Sequence, residues 1–135
     1  MTSQKTISVQ TLAARGAVTF IIAVIVNLTL GWVALTQGLV ASTEFFQYPP
    51  IVVWTLLGTV GATGVYGVLT RRSTTPDRTF VFLAIGALIL SFLPNIGLLL
   101  AVEGVTTSEV IGLMALHVPP AIVAVLALPD TPLAQ

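Results

Sequence analysis

Phe20-Ile-Ile-Ala-Val-Ile-Val26 is apolar at every position, and that continuity decides the fold. A transmembrane β-strand alternates lipid-facing and lumen-facing residues over about 10 positions, so an unbroken apolar run belongs to a helix. The run extends to fill residues 17–40, and three more follow at 51–70, 80–100 and 110–128. Each reaches the roughly 20 mainly apolar residues that a helix needs to cross the hydrocarbon of a bilayer. Composition agrees: 56% of the 135 residues are hydrophobic, 7% are charged, and mean hydropathy is +1.03. Such a chain has too little polar surface to wrap a soluble core. The expectation is an all-α fold, an integral-membrane four-helix bundle forming a single transmembrane domain over residues 1–135. The first run is much longer than the roughly 7–15 apolar residues of a signal-peptide core, so it reads as a permanent span.

The breaks between runs carry charge in strict alternation. Lys5 and Arg15 precede span one, and Arg71, Arg72 and Arg78 separate spans two and three, with Asp77 and Asp130 on the same side. Glu44 lies in the first opposite break and Glu103 and Glu109 in the second, so that side has no Lys or Arg. The positive-inside rule then puts both termini in the cytoplasm, with the protein in the cell membrane as a multi-pass chain. The basic cluster anchors that topology, with anionic lipid headgroups or an acidic partner as its further candidates.

Punctuation at the span ends supports the same count. Thr75-Pro76-Asp77 reads as a helix start, with Thr75 as cap, Pro76 in the first turn and Asp77 at the positive end of the dipole. Pro49-Pro50 opens span two, and Thr106-x-x-Glu109 fits a capping box at the start of span four. Phe45, Phe46, Tyr48 and Trp54 form an aromatic group suited to the headgroup region.

Helices in lipid mark their contacts with small residues and with polar groups that bond across the gap. Thr19, Ala23, Asn27 and Gly31 form such a stripe in span one, continued by Ala34. Span two carries Gly58, Gly61, Gly64 and Gly67, which predicts close packing against two neighbours. Pro94 in span three and Pro119-Pro120 in span four each remove a backbone donor, so both helices should be kinked or locally unwound.

At about 1.5 Å rise per residue, Asn27, Ser91 and His117 all fall near the bilayer centre, with Asn95 about one turn nearer the outside. If the stripes face one another, Asn27, Ser91, Asn95 and His117 form a polar cluster in an apolar bundle. A titratable side chain at that depth is a candidate ligand or proton site. It is equally open to interhelical bonding, as a neutral ring donating to a carbonyl freed by proline or to Asn27. Without cysteine or an intramembrane carboxylate, one histidine makes a poor metal site, and no cofactor is expected. No nucleophile or general acid accompanies His117, so no catalytic residue is assigned and the expectation is a non-enzymatic protein.

Span three's Ser91-Phe-Leu-Pro94, a short loop, and span four's Leu113-Met-Ala-Leu-His117 resemble a group of small bacterial four-span membrane proteins known only as a domain family of unknown function. An Asn-bearing first span and a basic loop between spans two and three extend the resemblance along nearly the whole chain. It implies a fold and no activity. The expectation for function is an oligomeric subunit, scaffold or small-molecule-binding module, in contact with membrane lipids and a second copy or another membrane protein, and not with nucleic acid. The alternative is a small transporter or channel subunit with a path past His117 and Asn95.

Overall fold

The computed structural model describes residues 7–41 and 44–130 and is all-α. Four helical stretches are long and apolar enough to cross a membrane: α1 (Val9–Thr36), α2 (Tyr48–Arg72), α3 (Pro76–Ala101) and a fourth over Thr107–Ala127. The fourth consists of two helices, α4 (Thr107–Ala115) and α5 (Val118–Ala127). Lys5, one of the basic residues that set the charge pattern, lies outside the described residues.

α1 starts at Val9, well before residue 17, because Ser8 supplies an N-cap whose side chain accepts from the Thr11 N–H at 3.1 Å. It stops at Thr36 and not at residue 40. Gly38 takes a positive φ of 65°, and the N–H groups of Gly38 and Leu39 turn back to Leu35 and Ala34 carbonyls, a glycine-terminated helix end. The expected cap at Thr75 is absent: its side chain makes no capping bond, and Ser73 Oγ instead accepts from the Thr75 N–H at 3.2 Å. Pro76 does open α3, and the Thr106 hydroxyl caps α4 by accepting from the Glu109 N–H at 3.3 Å.

α1 packs chiefly against α2 and α5, while α3 lies across α2, α4 and α5. The buried residues of α1 are Thr19, Ala23, Asn27 and Gly31, the four-residue stripe visible in the sequence. Two apolar clusters close the ends of the bundle. One joins Val40, Phe46, Ile51 and Leu116, and the other Tyr66, Phe80, Ala124 and Leu128. Phe46 is therefore core, 1% exposed, and not an interfacial anchor, whereas Tyr48 and Trp54 are open at 42% and 70%.

The second cluster carries the charged end. Tyr66 stacks edge-on against Phe80 and donates its hydroxyl to Asp77 Oδ1 at 2.7 Å. Arg15 donates to the Leu128 carbonyl at 2.7 Å and pairs with Asp130 at 2.6 Å, tying the start of α1 to the end of span four. That pair is partly open, so its own contribution is about 0–1 kcal/mol and its effect is mainly to set register.

α2 packs against both α1 and α3, but most of its glycines do not make those contacts. A Cβ on Gly67 would meet Leu12, but around Gly58, Gly61 and Gly64 nothing lies within 4 Å. Those three face out of the bundle because the inward face of α2 follows Ile51, Thr55, Thr59, Tyr66 and Thr70 instead. At Gly16 the approach is tight: a Cβ would sit 2.7 Å from Thr63 Oγ1 and 2.8 Å from its Cγ2. Gly16→Val is expected to lower stability by about 1–3 kcal/mol through overpacking, whereas Gly86→Val, at a position with nothing within 4 Å, leaves it unchanged. Thermal unfolding in lipid nanodiscs compares the two.

Candidate functional site

The interior polar site is built where span four breaks. Pro119 and Pro120 occupy the first turn of α5, where their missing N–H groups cost that helix nothing. Upstream the cost is real, because Pro120 cannot bond the carbonyl of Leu116, four residues earlier. Asn27 supplies the missing donor. Its Nδ2 lies 2.9 Å from the Leu116 carbonyl and 2.9 Å from Thr55 Oγ1, so one side chain joins α1, α2 and the break. Thr55 can accept because its own proton goes to the Ile51 carbonyl at 2.7 Å.

His117 repairs the break in a second way. Its N–H turns to the Met114 carbonyl at 3.1 Å in a tight turn, which leaves the Leu113 carbonyl free for the ring Nδ1 at 2.7 Å. A carbonyl only accepts, so Nδ1 is the donor in this bond. The ring also meets Phe92 of α3 edge-on, with centroids 6.4 Å apart.

Span three contributes less. α3 runs without interruption through Pro94. Ser91 Oγ donates to the Leu88 carbonyl at 2.6 Å, and Asn95 Nδ2 to the Ser91 carbonyl at 3.0 Å, both inside their own helix. The four candidate residues thus divide. Asn27 reaches the turn beside His117 through Leu116, while Ser91, Asn95 and His117 each bond their own backbone, and no hydrogen bond links any two of the four side chains.

Two residues emerge that the sequence reading did not select. Thr55 is one, legible from the Ile51, Thr55, Thr59 spacing. The other is Glu109, predicted as the capping-box acid at the start of span four and found in the first turn of α4, where its side chain is 0% exposed. Glu109, Gly112 and Leu116 recur at helical spacing, and that phase was the available signal. Asn27 Oδ1 is buried without a hydrogen-bond partner. Among the described residues, no three His, Cys, Asp or Glu side chains converge on a point that could hold a metal ion.

Two grooves open beside the bundle. The larger, about 790 Å³, lies between α1 and α2 around Leu28, Trp32, Tyr48 and Val52. The smaller, about 370 Å³, runs along α4 past Ser108, Gly112 and Leu116 to Val40 and Phe46. Neither is lined by Asn95 or His117.

Residues 7–132 match the family model described as a family of unknown function (DUF6069), and the chain belongs to that family. No curated protein and no solved structure matches it.

Asn27→Ala removes two interhelical bonds of about 0.6 kcal/mol each and leaves the Leu116 carbonyl without a donor, for an expected loss of about 1–3 kcal/mol. Ser91→Ala, which severs only a bond within its own turn, is expected to cost far less. Reversible unfolding in mixed micelles measures both.

Proposed function

We propose that this member of the DUF6069 family is a non-enzymatic, multi-pass protein of the cytoplasmic membrane that works as a self-associating subunit, joined to a second copy through the outer face of α2. The observation that carries this reading is the open ridge Leu57, Gly61, Gly64 and Val68. Its members recur at spacings of four, three and four, and all four are exposed. That period is the seam of two helices packed at a small angle, and glycine in lipid serves close backbone approach. The bundle's own close-packed glycines, Gly16, Gly31, Gly67 and Gly112, each meet a neighbouring side chain, while Gly58, Gly61 and Gly64 have nothing within 4 Å. An outward glycine face without a neighbour gains nothing from lipid tails and much from a partner helix.

Orientation follows from charge. Arg71, Arg72 and Arg78 lie at the α2–α3 end, where Arg15 meets Asp130, and the positive-inside rule assigns that end, with both termini, to the cytoplasm.

A transporter or channel subunit is the second reading, and the observation that favours it is the buried acid Glu109 on the first turn of α4, since ionisable groups in membrane-crossing helices are functional-site candidates.

Native mass spectrometry from nanodiscs tests self-association. The wild type is expected as a dimer or higher oligomer and Gly61→Leu as a monomer of unchanged thermal stability. A monomeric wild type, or an oligomer indifferent to Gly61→Leu and Gly64→Leu, contradicts the reading.

A further inference from the structure

The α2–α3 corner gathers positive charge that the bonds of the bundle do not use. Arg71 and Arg72 close α2, Arg78 lies in the first turn of α3, and all three are exposed. The acids of this end are engaged elsewhere: Asp130 pairs with Arg15, and Asp77 takes the Tyr66 hydroxyl at 2.7 Å. Among the described residues, no hydrogen bond or ion pair engages Arg71, Arg72 or Arg78.

The corner holds these side chains together. Residues 73–75 alone separate the two helices. Ser73 Oγ lies 3.4 Å from Thr79 Oγ1 and accepts from the Thr75 N–H at 3.2 Å. Ser73 follows Arg72 and Thr79 follows Arg78, so that contact sets the two arginine backbones side by side. Arg78 is placed further by an aromatic ring: its guanidinium carbon stands 5.8 Å from the centroid of Phe82, which is 63% exposed. The stem of the arginine thus follows the apolar face of α3 and its charge remains at the membrane surface.

Below Phe82 the same face continues toward the bilayer centre. Phe82, Ile85, Ile89 and Leu93 recur at spacings of three, four and four, and each is more than half exposed. Gly86, one turn past Phe82, has nothing within 4 Å, which leaves a notch beside that stripe. Fixed positive charge above an open apolar stripe matches the two parts of a phospholipid, an anionic phosphate and an acyl chain. Residue type points the same way. Lysine and arginine serve the positive-inside rule alike, yet every basic residue of this corner is arginine, whose planar fork grips phosphate oxygens two at a time.

We infer that the α2–α3 corner binds one anionic phospholipid per chain, with its phosphate held by Arg71, Arg72 and Arg78 and an acyl chain lying along Phe82, Ile85 and Ile89. A zwitterionic lipid carries its own cation and gains less from the three arginines, and a free phosphate has no tail for the stripe. The inference rests on the reading of the four helices as membrane spans. It does not depend on self-association through α2.

Native mass spectrometry of the full chain, released from nanodiscs of equal parts phosphatidylglycerol and phosphatidylcholine, tests this. The expected spectrum shows one phosphatidylglycerol retained per chain, favoured over phosphatidylcholine by about fivefold or more. Replacing all three arginines by glutamine should make the two lipids equal. Because that change also weakens the charge bias that orients the chain, a second variant carries Arg71→Lys, Arg72→Lys and Arg78→Lys, which keeps charge and topology. Its preference should fall by about half or more, since an ammonium group lacks the fork. Excess inorganic phosphate should leave the lipid in place. Subunit number appears in the same spectra, so self-association stands or falls separately from lipid retention. Equal retention of the two lipids by the wild type, a lysine variant indistinguishable from it, or displacement by inorganic phosphate would overturn the proposal. In the first of these cases, capture of a hexaglutamate peptide by the same arginines would assign the cluster to an acidic protein partner instead.

Discussion

A single carbonyl organises this bundle. Pro120 has no N–H to offer the oxygen of Leu116, and Leu116 is buried in the bundle, so the missing donor has to come from a neighbouring side chain. Asn27 closes that gap at 2.9 Å and with its second proton holds Thr55, so the defect in one helix becomes the junction of three. Hydrophobic burial cannot do this work, because lipid tails solvate the outward side chains as well as a neighbouring helix would. The registry of α1, α2 and span four is consequently a matter of donors and acceptors.

The rest of the architecture follows from that junction. Once Leu116 is held against α1, the stripe on α4 that includes Gly112 and Glu109 turns inward, and Phe46 and Val40 fold over it from the α1–α2 connection. His117, one residue past the junction, satisfies the Leu113 carbonyl with its own ring and meets α3 through Phe92. At the far end Arg15 catches the Leu128 carbonyl and Asp130, so span four is fixed to α1 both at its middle and at its close.

Hydropathy alone identified the four spans, since an apolar run of bilayer length has few other folds available to it. The inward stripe of α1 was equally legible, because it combines small residues with the polar Thr19 and Asn27 at four-residue spacing, and a polar side chain in lipid turns toward a neighbouring helix. The glycines of α2 misled for a physical reason: their spacing along the helix does not say which face meets a neighbour, and around Gly58, Gly61 and Gly64 nothing lies within 4 Å. Phe46 misled similarly, as an aromatic in a loop suits the headgroup region until the loop folds inward. Glu109 escaped because a capping signature explained its position without asking where its side chain would go. The four proposed site residues were each placed at a plausible depth, but depth does not choose partners. Proline frees a carbonyl, and whether a neighbouring helix or the same helix answers it depends on phase and distance that one chain's sequence does not display.

The most direct test of the Asn27 junction is a double-mutant cycle between Asn27→Ala and Pro120→Ala, read by reversible unfolding in mixed micelles. Pro120→Ala returns the N–H that the Leu116 carbonyl lacks, so the cost of Asn27→Ala should fall by about half or more in that background, a coupling of about 0.5–1.5 kcal/mol. Equal costs in the two backgrounds would contradict the account, because Asn27 would then hold the bundle for some reason other than the carbonyl that proline leaves open.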